Sequence, residues 1–514
     1  MDDTDRSEPL LRHLSRRDRE LFWLFGKGPR RTVSDPAIHH AIERMAATHP
    51  TVTAVEHHGE AITYRELDAR ATALACHLAD LGVRPGDHVA LFLRRSIPMV
   101  VGILATLKAG AAYVPQDVAI APPAQLRHVL AIARPRVVLT TADHADHIPG
   151  GHPILTIPAS GADQARPAFR PRRPARPDDP CYVLFTSGTT GMPNGVTVTH
   201  GNVVNLLLTQ PGDLGIQPGW RVGQLLNIAF DMAAWEILGC LSHGATLVIR
   251  GEDIAATARD LDVIVATPTI LSRLDPEGCP RVRVVAVAGE PCPGALADRW
   301  AGRAAFHNGC GPTEVTIVNT MGRHRVGEPV TIGRPTPNNT VYVLDEHGRP
   351  CPPGEPGEMW AGGDCVSAGY LDNPDLTGER YRPDPFLGGD RLMFRTRDLA
   401  RWTPDGDLEH LGRTDDQVKI RGFRVELDSV SAVLETLPGC TRAVTLKLDS
   451  DHLVSFTAGA GVDPDEARWA VSRALPYYCV PAEVYSLDTL PQTPRGKIDK
   501  ATLLDLARGA GAIA

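Results

Sequence analysis

The segment Phe185-Thr-Ser-Gly-Thr-Thr-Gly-Met-Pro-Asn-Gly195 concentrates more hydroxyl and glycine than a protein core can use. Gly188, Gly191 and Gly195 let the backbone bend until successive N–H groups converge, and such a nest binds phosphate. The hydroxyls of Ser187, Thr189 and Thr190 add donors. A plain surface turn has the same composition, so the segment gains meaning only from what carries it. The apolar run Cys181 to Phe185 precedes it. That places the loop at the carboxyl end of a strand, where ligands sit in open α/β sheets.

The elements around this loop read as an α/β fold. Asp87 to Leu93, Arg136 to Thr141, Asp262 to Ala266 and Val282 to Ala288 are apolar runs of strand length. Ile97 to Ala109 reads as a helix closed by Gly110. Strands spaced by helices imply parallel-rich sheets layered with helices. From Gly412 the chain becomes polar and charged, and shorter patterns follow, such as the helical stretch Ser429 to Leu437. A boundary is expected near Gly412 to Asp416. It divides a large N-terminal domain, residues 1–413, from a small α+β domain, residues 414–514. A chain of 514 residues is too long for one core.

Composition narrows the function. A net charge of −8 argues against a nucleic-acid binder. The basic run Arg170 to Arg176 is proline-rich and reads as a surface connection. Ten scattered cysteines without a CxxC pair fit a reducing cytoplasm and no structural zinc. No uncharged run is long enough to span a bilayer. Leu10, Leu11, Leu14, Leu21, Phe22 and Phe25 alternate with charges, which makes an amphipathic helix expected to pack on the main body. A peripheral membrane helix is the alternative.

Further blocks follow in a fixed order. They are Leu107-Lys-Ala-Gly-Ala-Ala-Tyr-Val-Pro115, the loop Thr186 to Gly195, Phe230-Asp-Met-Ala-Ala-Trp-Glu236 and Asn308-Gly-Cys-Gly-Pro-Thr-Glu314. Gly357-Glu358 through Gly369-Tyr-Leu371, Phe394-Arg-Thr-Arg-Asp398, Gly412 to Arg424 and Pro494-Arg-Gly-Lys-Ile-Asp499 complete the set. From about Ile38 to Leu506 the chain resembles the adenylate-forming superfamily, specifically the adenylation domains of nonribosomal peptide synthetases. The resemblance implies two half-reactions. A carboxylate attacks the α-phosphate of ATP to give an acyl-AMP and pyrophosphate. A thiol, usually a carrier protein's phosphopantetheine, then displaces AMP.

Roles follow from the same resemblance. Lys497 reaches the substrate carboxylate and α-phosphate as a point charge between two anions. A solvated lysine is the plain alternative. Glu314 is the magnesium ligand, since a hard cation takes carboxylate oxygen, and Thr313 contacts the α-phosphate. A helix-capping pair would look the same. The ATP site comprises Thr186, Ser187, Gly188, Thr189, Thr190, Gly191, Gly309, Cys310, Asp398 and Arg413. Asp398 accepts from the ribose hydroxyls, and a structural Asp398–Arg413 salt bridge is the alternative. Asp415 is the hinge on which the small domain rotates between half-reactions; an ordinary turn aspartate is the alternative. ATP and Mg2+ are the implied cofactors.

The acid itself is read from Asp231, which stands where amino-acid activators carry an aspartate that pairs the substrate ammonium. A helix N-cap is the alternative. Met232, Trp235, Thr269, Ala286, Ala288, Gly309, Ile317 and Val318 would wall the pocket. No charge lies among these walls, so a large apolar side chain, aromatic ones included, is expected. Met232 is bulky for its place, and motivates a β-amino acid as against an α-amino acid, in an enzyme that primes polyketide assembly. Too little chain follows Lys497 for a fused carrier domain, and no condensation-type motif is present. The expected partner is therefore a carrier protein in trans, with a small activator protein as a further candidate partner. Three positions depart from the family. Asn194 replaces a lysine, Arg397 a glycine and Cys310 an adenine-stacking aromatic. Arg397 could return the cation lost at Asn194, and Cys310 reads as a packing residue. An acyl- or aryl-CoA ligase and a non-catalytic nucleotide-binding relative are the competing functions.

Overall fold

The computed structural model describes residues 9–158, 169, 173–186, 192–415, 417–421, 423–459, 461–492 and 498–511. Two largely parallel sheets form its centre. One runs, in spatial order, Ile154–Thr156, Val137–Thr140, His88–Phe92, Ala112–Gln116, Pro180–Thr186 and Asn194–Thr199. Only its last pair is antiparallel. In the other, Thr53–His57, Thr246–Ile249, Arg221–Gln224, Val263–Ala266, Val284–Val287 and Ala305–Cys310 run parallel, with antiparallel strands at both edges. The predicted strands therefore form, each within two residues of its expected ends.

Helices join these strands because their apolar faces have sheets to cover. Ile97–Lys108 is buried along its whole length, starts on the Ser96 hydroxyl and ends before Gly110 at φ +80°. Tyr64–Asp80 begins with a reciprocal cap between Thr63 and Glu66. A third sheet is antiparallel and includes Asn339–Leu344, Gly357–Gly363, Leu392–Trp402 and Leu408–Arg413. The amphipathic N-terminal stretch forms the helix Arg16–Gly26, which lies on this sheet. Phe22 stacks on Tyr342 with ring centroids 5.7 Å apart and meets Phe386 at 5.1 Å. Phe25 meets Trp402 at 5.8 Å.

After Arg413 the chain builds a hairpin, Gln417–Ile420 with Phe423–Glu426, then the helix Leu427–Glu435. A three-stranded sheet follows, Cys440–Lys447, Leu453–Gly459 and Glu483–Leu487. The buried apolar clusters of this part contain no residue before Val418, and those of the rest none after Leu408. Among the described residues no helix is long and apolar enough to cross a membrane.

The Arg16–Gly26 helix is held by its aromatic contacts. Phe22→Ala is expected to cost about 3–5 kcal/mol, seen as a lowered urea midpoint, whereas Leu24→Ala, at a side chain 70% exposed, should leave the midpoint unchanged.

Candidate active site

Five strands, four of them neighbours in one parallel sheet and one from the other, end at one cavity of about 360 Å³. Thr186 closes Pro180–Thr186, Leu225 follows Arg221–Gln224, and Thr267 follows Val263–Ala266. Ala288 follows Val284–Val287, and Gly311 follows Ala305–Cys310. This is the carboxyl-end crevice that parallel sheets provide. Gly311 is obligatory here, because a Cβ would meet the Val318 Cα at 2.7 Å. Thr316 and Ile317 then adopt positive φ, 60° and 68°, which turns Ile317 onto the cavity wall.

Asp231 opens the short helix Asp231–Ala234 and faces the cavity. Phe230, not Asp231, is the N-cap residue, so the capping alternative for this aspartate fails. The surrounding protein raises its pKa to about 6, against hydrogen bonds from the Thr313 hydroxyl and the Met232 N–H. Lys419 is close enough to act on it electrostatically, yet no ion pair to Asp231 forms among the described residues.

Glu314 is fully buried behind Thr313. Tyr370 Oη donates to its Oε1 at 2.6 Å, and Arg424 Nη1 lies 3.3 and 3.2 Å from its two oxygens. Burial pushes the carboxyl up, but Arg424 and Arg380 outweigh it and hold Glu314 below the usual carboxylate range. Arg424 belongs to the hairpin strand Phe423–Glu426, so this ion pair ties the C-terminal part to the cavity. With both oxygens already answered by a guanidinium and a phenol, Glu314 in this arrangement does not fit a divalent cation. Among the described residues no cluster of three or more His, Cys, Asp or Glu side chains could hold a metal.

A second charged chain lies beside the first. Arg413 Nη1 donates to Asp398 Oδ1 at 2.7 Å, and its Nε and Nη2 donate to the two Asp415 oxygens at 2.8 and 3.0 Å. His410 Nε2 lies 3.3 Å from the same Asp398 oxygen. The salt-bridge alternative for Asp398 and Arg413 is therefore what this arrangement contains. Arg397 stands at φ 62°, which explains why the family places glycine there. Its guanidinium is engaged by Glu379 at 2.8 Å and Asp415 at 3.6 Å. It is thus committed elsewhere and does not replace the cation missing at Asn194. Asn194 itself accepts from Asn373 Nδ2 at 3.1 Å. Burial raises the Cys310 thiol to about 12, as a packing cysteine requires.

The structure brings Thr186, Asp231, Met232, Thr269, Ala288, Thr313 and Ile317 to one cavity. Trp235, Ala286, Gly309 and Val318 do not line it. Trp235 is 1% exposed and donates to the Gly212 carbonyl at 2.7 Å, and Gly309 packs against Val318. Register against the family's pattern put these four on the wall; Trp235 opens the helical turn Trp235–Gly239, Ala286 and Gly309 lie in the strands Val284–Val287 and Ala305–Cys310, and Trp235, Ala286 and Val318 are buried in the core. Thr269 gives its hydroxyl and N–H to Glu290. Ser187, Gly188, Thr189, Thr190, Gly191 and Lys497 lie outside the described residues.

None of the eight expected wall residues is charged, yet the cavity as a whole is. Arg95, Arg250, Arg273, Lys419, Arg421 and Arg424 all line the cavity, against the single acid Asp231. Arg95, Arg250 and Arg273 follow the ends of His88–Phe92, Thr246–Ile249 and Pro268–Leu271, outside the recognised blocks, and nothing in their local sequence marks them. Phe423 of the hairpin closes the cavity by stacking on Tyr478 at 4.2 Å and meeting Phe230 at 5.0 Å.

The site is thus a strand-end crevice that holds a carboxylate, a threonine and a dense set of cations. Residues 42–371 match the family model for the AMP-binding enzyme, and the chain belongs to that family. It is 38% identical over 489 residues to novobiocin biosynthesis protein H of Streptomyces niveus, covering 90% of this chain and 81% of that protein. It is 46% identical over 507 residues to adenylate-forming reductase 03009 of Coprinopsis cinerea, covering 98% of this chain and 49% of the reductase. The chain thus spans about half the length of that relative. Its fold matches the solved structure of holo-PA1221, an NRPS protein containing adenylation and PCP domains bound to a vinylsulfonamide inhibitor. The TM-score is 0.81 at 27% identity, covering 92% of this chain and 84% of the other. Within the AMP-binding enzyme family, the chain is thus similar to the adenylation domains of nonribosomal peptide synthetases.

Two predictions follow from these charges. Arg424→Gln leaves a buried Glu314 unpaired and should cost about 3–5 kcal/mol; adding Glu314→Gln should return much of the loss in a thermal-melt cycle. Asp231, with its folded pKa raised from 3.8 to about 6, favours folding below about pH 4 and loses that contribution as pH rises through 6. Asp231→Asn should therefore stabilise the free protein near pH 7.5 by on the order of 1–3 kcal/mol, seen as a raised melting temperature, and have little effect near pH 4.

Proposed function

We propose that the protein activates an amino acid with ATP and passes it to the phosphopantetheine thiol of a carrier protein. The observation that carries this reading is Asp231, a carboxylate on the cavity wall with a raised pKa and no cation at bonding distance among the described residues. A substrate ammonium would supply that cation and hold the site ionised. Met232, Ile270, Ala288 and Ile317 give the cavity an apolar side, which suits a large apolar side chain, aromatic ones included. Met232 beside Asp231 favours a β-amino acid, whose amine lies one carbon further out.

The remaining roles are assigned on the same reading. Thr313 and the Thr186–Gly191 segment take the phosphates, Asp398 and Arg413 the ribose side, and Lys497 the reacting carboxylate and α-phosphate. Charge builds on phosphate oxygens when the carboxylate attacks, so fixed cations and positioning supply most of the acceleration. Glu314 would hold Mg2+, whose chemistry is to neutralise phosphate charge, once Arg424 is withdrawn. Residues 1–413 and 414–514 act as two bodies, with Asp415 at the pivot. Its bidentate bond to Arg413 would hold the present arrangement.

A second reading has a specific motive. The adenylate-forming reductases are similar along nearly all of this chain and about twice as long. In that reading the activated acid is a plain carboxylate destined for reduction in a longer assembly.

ATP–pyrophosphate exchange across α-amino, β-amino and plain carboxylic acids tests both. The expected result is exchange with β-amino acids that bear an apolar side chain, and a loss of about tenfold or more on Asp231→Asn. Exchange confined to plain acids, unaffected by Asp231→Asn, would replace the first reading by the second.

A further inference from the structure

Asp231 lies inside a loop that the chain closes on itself. Leu225 and Leu226 follow the strand Arg221–Gln224, and the chain returns to them at Glu236, eleven residues beyond Leu225. Glu236 Oε1 accepts from the Leu225 N–H at 2.8 Å and from the Leu226 N–H at 3.3 Å. Its Oε2 accepts from the Leu226 N–H at 3.2 Å and from Gln224 Nε2 at 3.3 Å. The carbonyls of the same two residues are held by other side chains. Arg95 donates to them from Nη2 at 3.3 Å and from Nε at 3.2 Å, and Gln224 Nε2 donates to the Leu226 carbonyl at 2.5 Å. Further along the loop, Asn227 Nδ2 donates to Asp117 Oδ2 at 3.1 Å. Asn227 Oδ1 accepts from the Ala229 N–H at 2.9 Å, and its carbonyl accepts from the Phe230 N–H at 3.1 Å. Leu225, Leu226, Asn227, Phe230 and Asp231 all face the cavity, whereas Glu236 is fully buried behind them.

A buried carboxyl is costly, and here it stands where the loop carrying Asp231 closes. Burial outweighs the three donors and lifts the Glu236 carboxyl to about 8. Glu236 belongs to the π turn Trp235–Gly239, a geometry that is rare and frequently found at functional sites. We propose that Glu236 is a positioning residue: by closing the Leu225–Glu236 loop it fixes where Asp231 stands, and so sets the affinity for the ammonium of the acid substrate without touching that substrate. This rests on the reading of Asp231 as the partner of a substrate ammonium. Closing the loop removes conformers that would carry Asp231 away, and a charge-assisted bond loses strength steeply with misplacement. The residues assigned above to the ribose, Asp398 and Arg413, stand on the separate strands Leu392–Trp402 and Leu408–Arg413. Opening the loop therefore acts on one substrate and spares the other.

Pyrophosphate-exchange kinetics on the whole protein, with the acid and ATP varied in turn, test the proposal. Glu236→Leu leaves the two N–H groups unanswered, whereas Glu236→Gln keeps an oxygen for them. The expected result for Glu236→Leu is a KM for the acid raised about tenfold or more, with the KM for ATP within about twofold of the unmodified protein. Glu236→Gln should recover most of the loss. In an Asp231→Asn background Glu236→Leu should add less than about twofold, because residues that act through one contact are not additive. A KM for both substrates raised alike, a glutamine variant as poor as the leucine one, or effects that multiply in the double variant would each overturn the proposal. Glu236→Asp, one methylene shorter, takes the place of the leucine variant should that one fail to fold, with the same expectations. Hydrogen–deuterium exchange at the Leu225 and Leu226 amides requires no turnover. It should be faster in the leucine variant and close to the unmodified rate in the glutamine variant; an unchanged rate in the leucine variant would overturn the closure. Silence of the unmodified protein with every acid would remove the adenylation reading, and the amide rates would still uphold or overturn the closure by Glu236.

Discussion

A carboxylate with no access to water must be given a cation, and much of this molecule is arranged around that requirement at Glu314. Burial alone would neutralise the group. Arg424 instead keeps it ionised, with the Tyr370 phenol filling the remaining lone pair. The two partners come from different parts of the chain, Glu314 from the end of a parallel strand and Arg424 from the hairpin beyond Gln417. The pair is therefore a bond between two separately packed cores as much as a local contact. Phe423, the residue before Arg424, closes the same seam against Phe230 and Tyr478.

That one ion pair organises the electrostatics around it. Where an acid is present, a cation has been brought to it: Arg413 to Asp398 and Asp415, Arg397 to Glu379. Asp231 is left with Lys419 nearby and hydrogen bonds from Thr313 and Met232 but no ion pair among the described residues, and burial raises its pKa. Four arginines on the same cavity, Arg95, Arg250, Arg273 and Arg421, make no ion pair among the described residues. A site with one unanswered carboxylate and several unanswered cations is suited to a substrate that carries an ammonium on one side and to reactants that carry phosphate on the other.

Several features recognisable in the sequence have simple physical origins. The strands from Asp87 to Ala288 were legible because both faces are buried, which makes them uninterrupted apolar runs. Gly110 ends its helix in the left-handed region, and Gly311 is fixed by the close approach of Val318. Asp231, Thr313 and Glu314 could be singled out because their motifs come in order, and the fold brings Asp231 and Thr313 to one cavity with Glu314 directly behind. The wall residues fared less well. Met232, Thr269, Ala288 and Ile317 reach the cavity, while Trp235, Ala286, Gly309 and Val318 are taken up by the core, since a pocket wall and a core face have the same apolar composition.

The sequence by itself determined the elements, the two parallel-rich sheets and the identity of the family, because periodicity, turn residues and contiguous motifs are local properties of a chain. Tertiary structure alone decided which charges meet. Arg424 reaches Glu314 across 110 positions, Arg397 is diverted to Glu379, and Arg95, Arg250, Arg273 and Arg421 gather at one cleft. Charge interactions act through space and depend on burial, so no spacing along the chain encodes them.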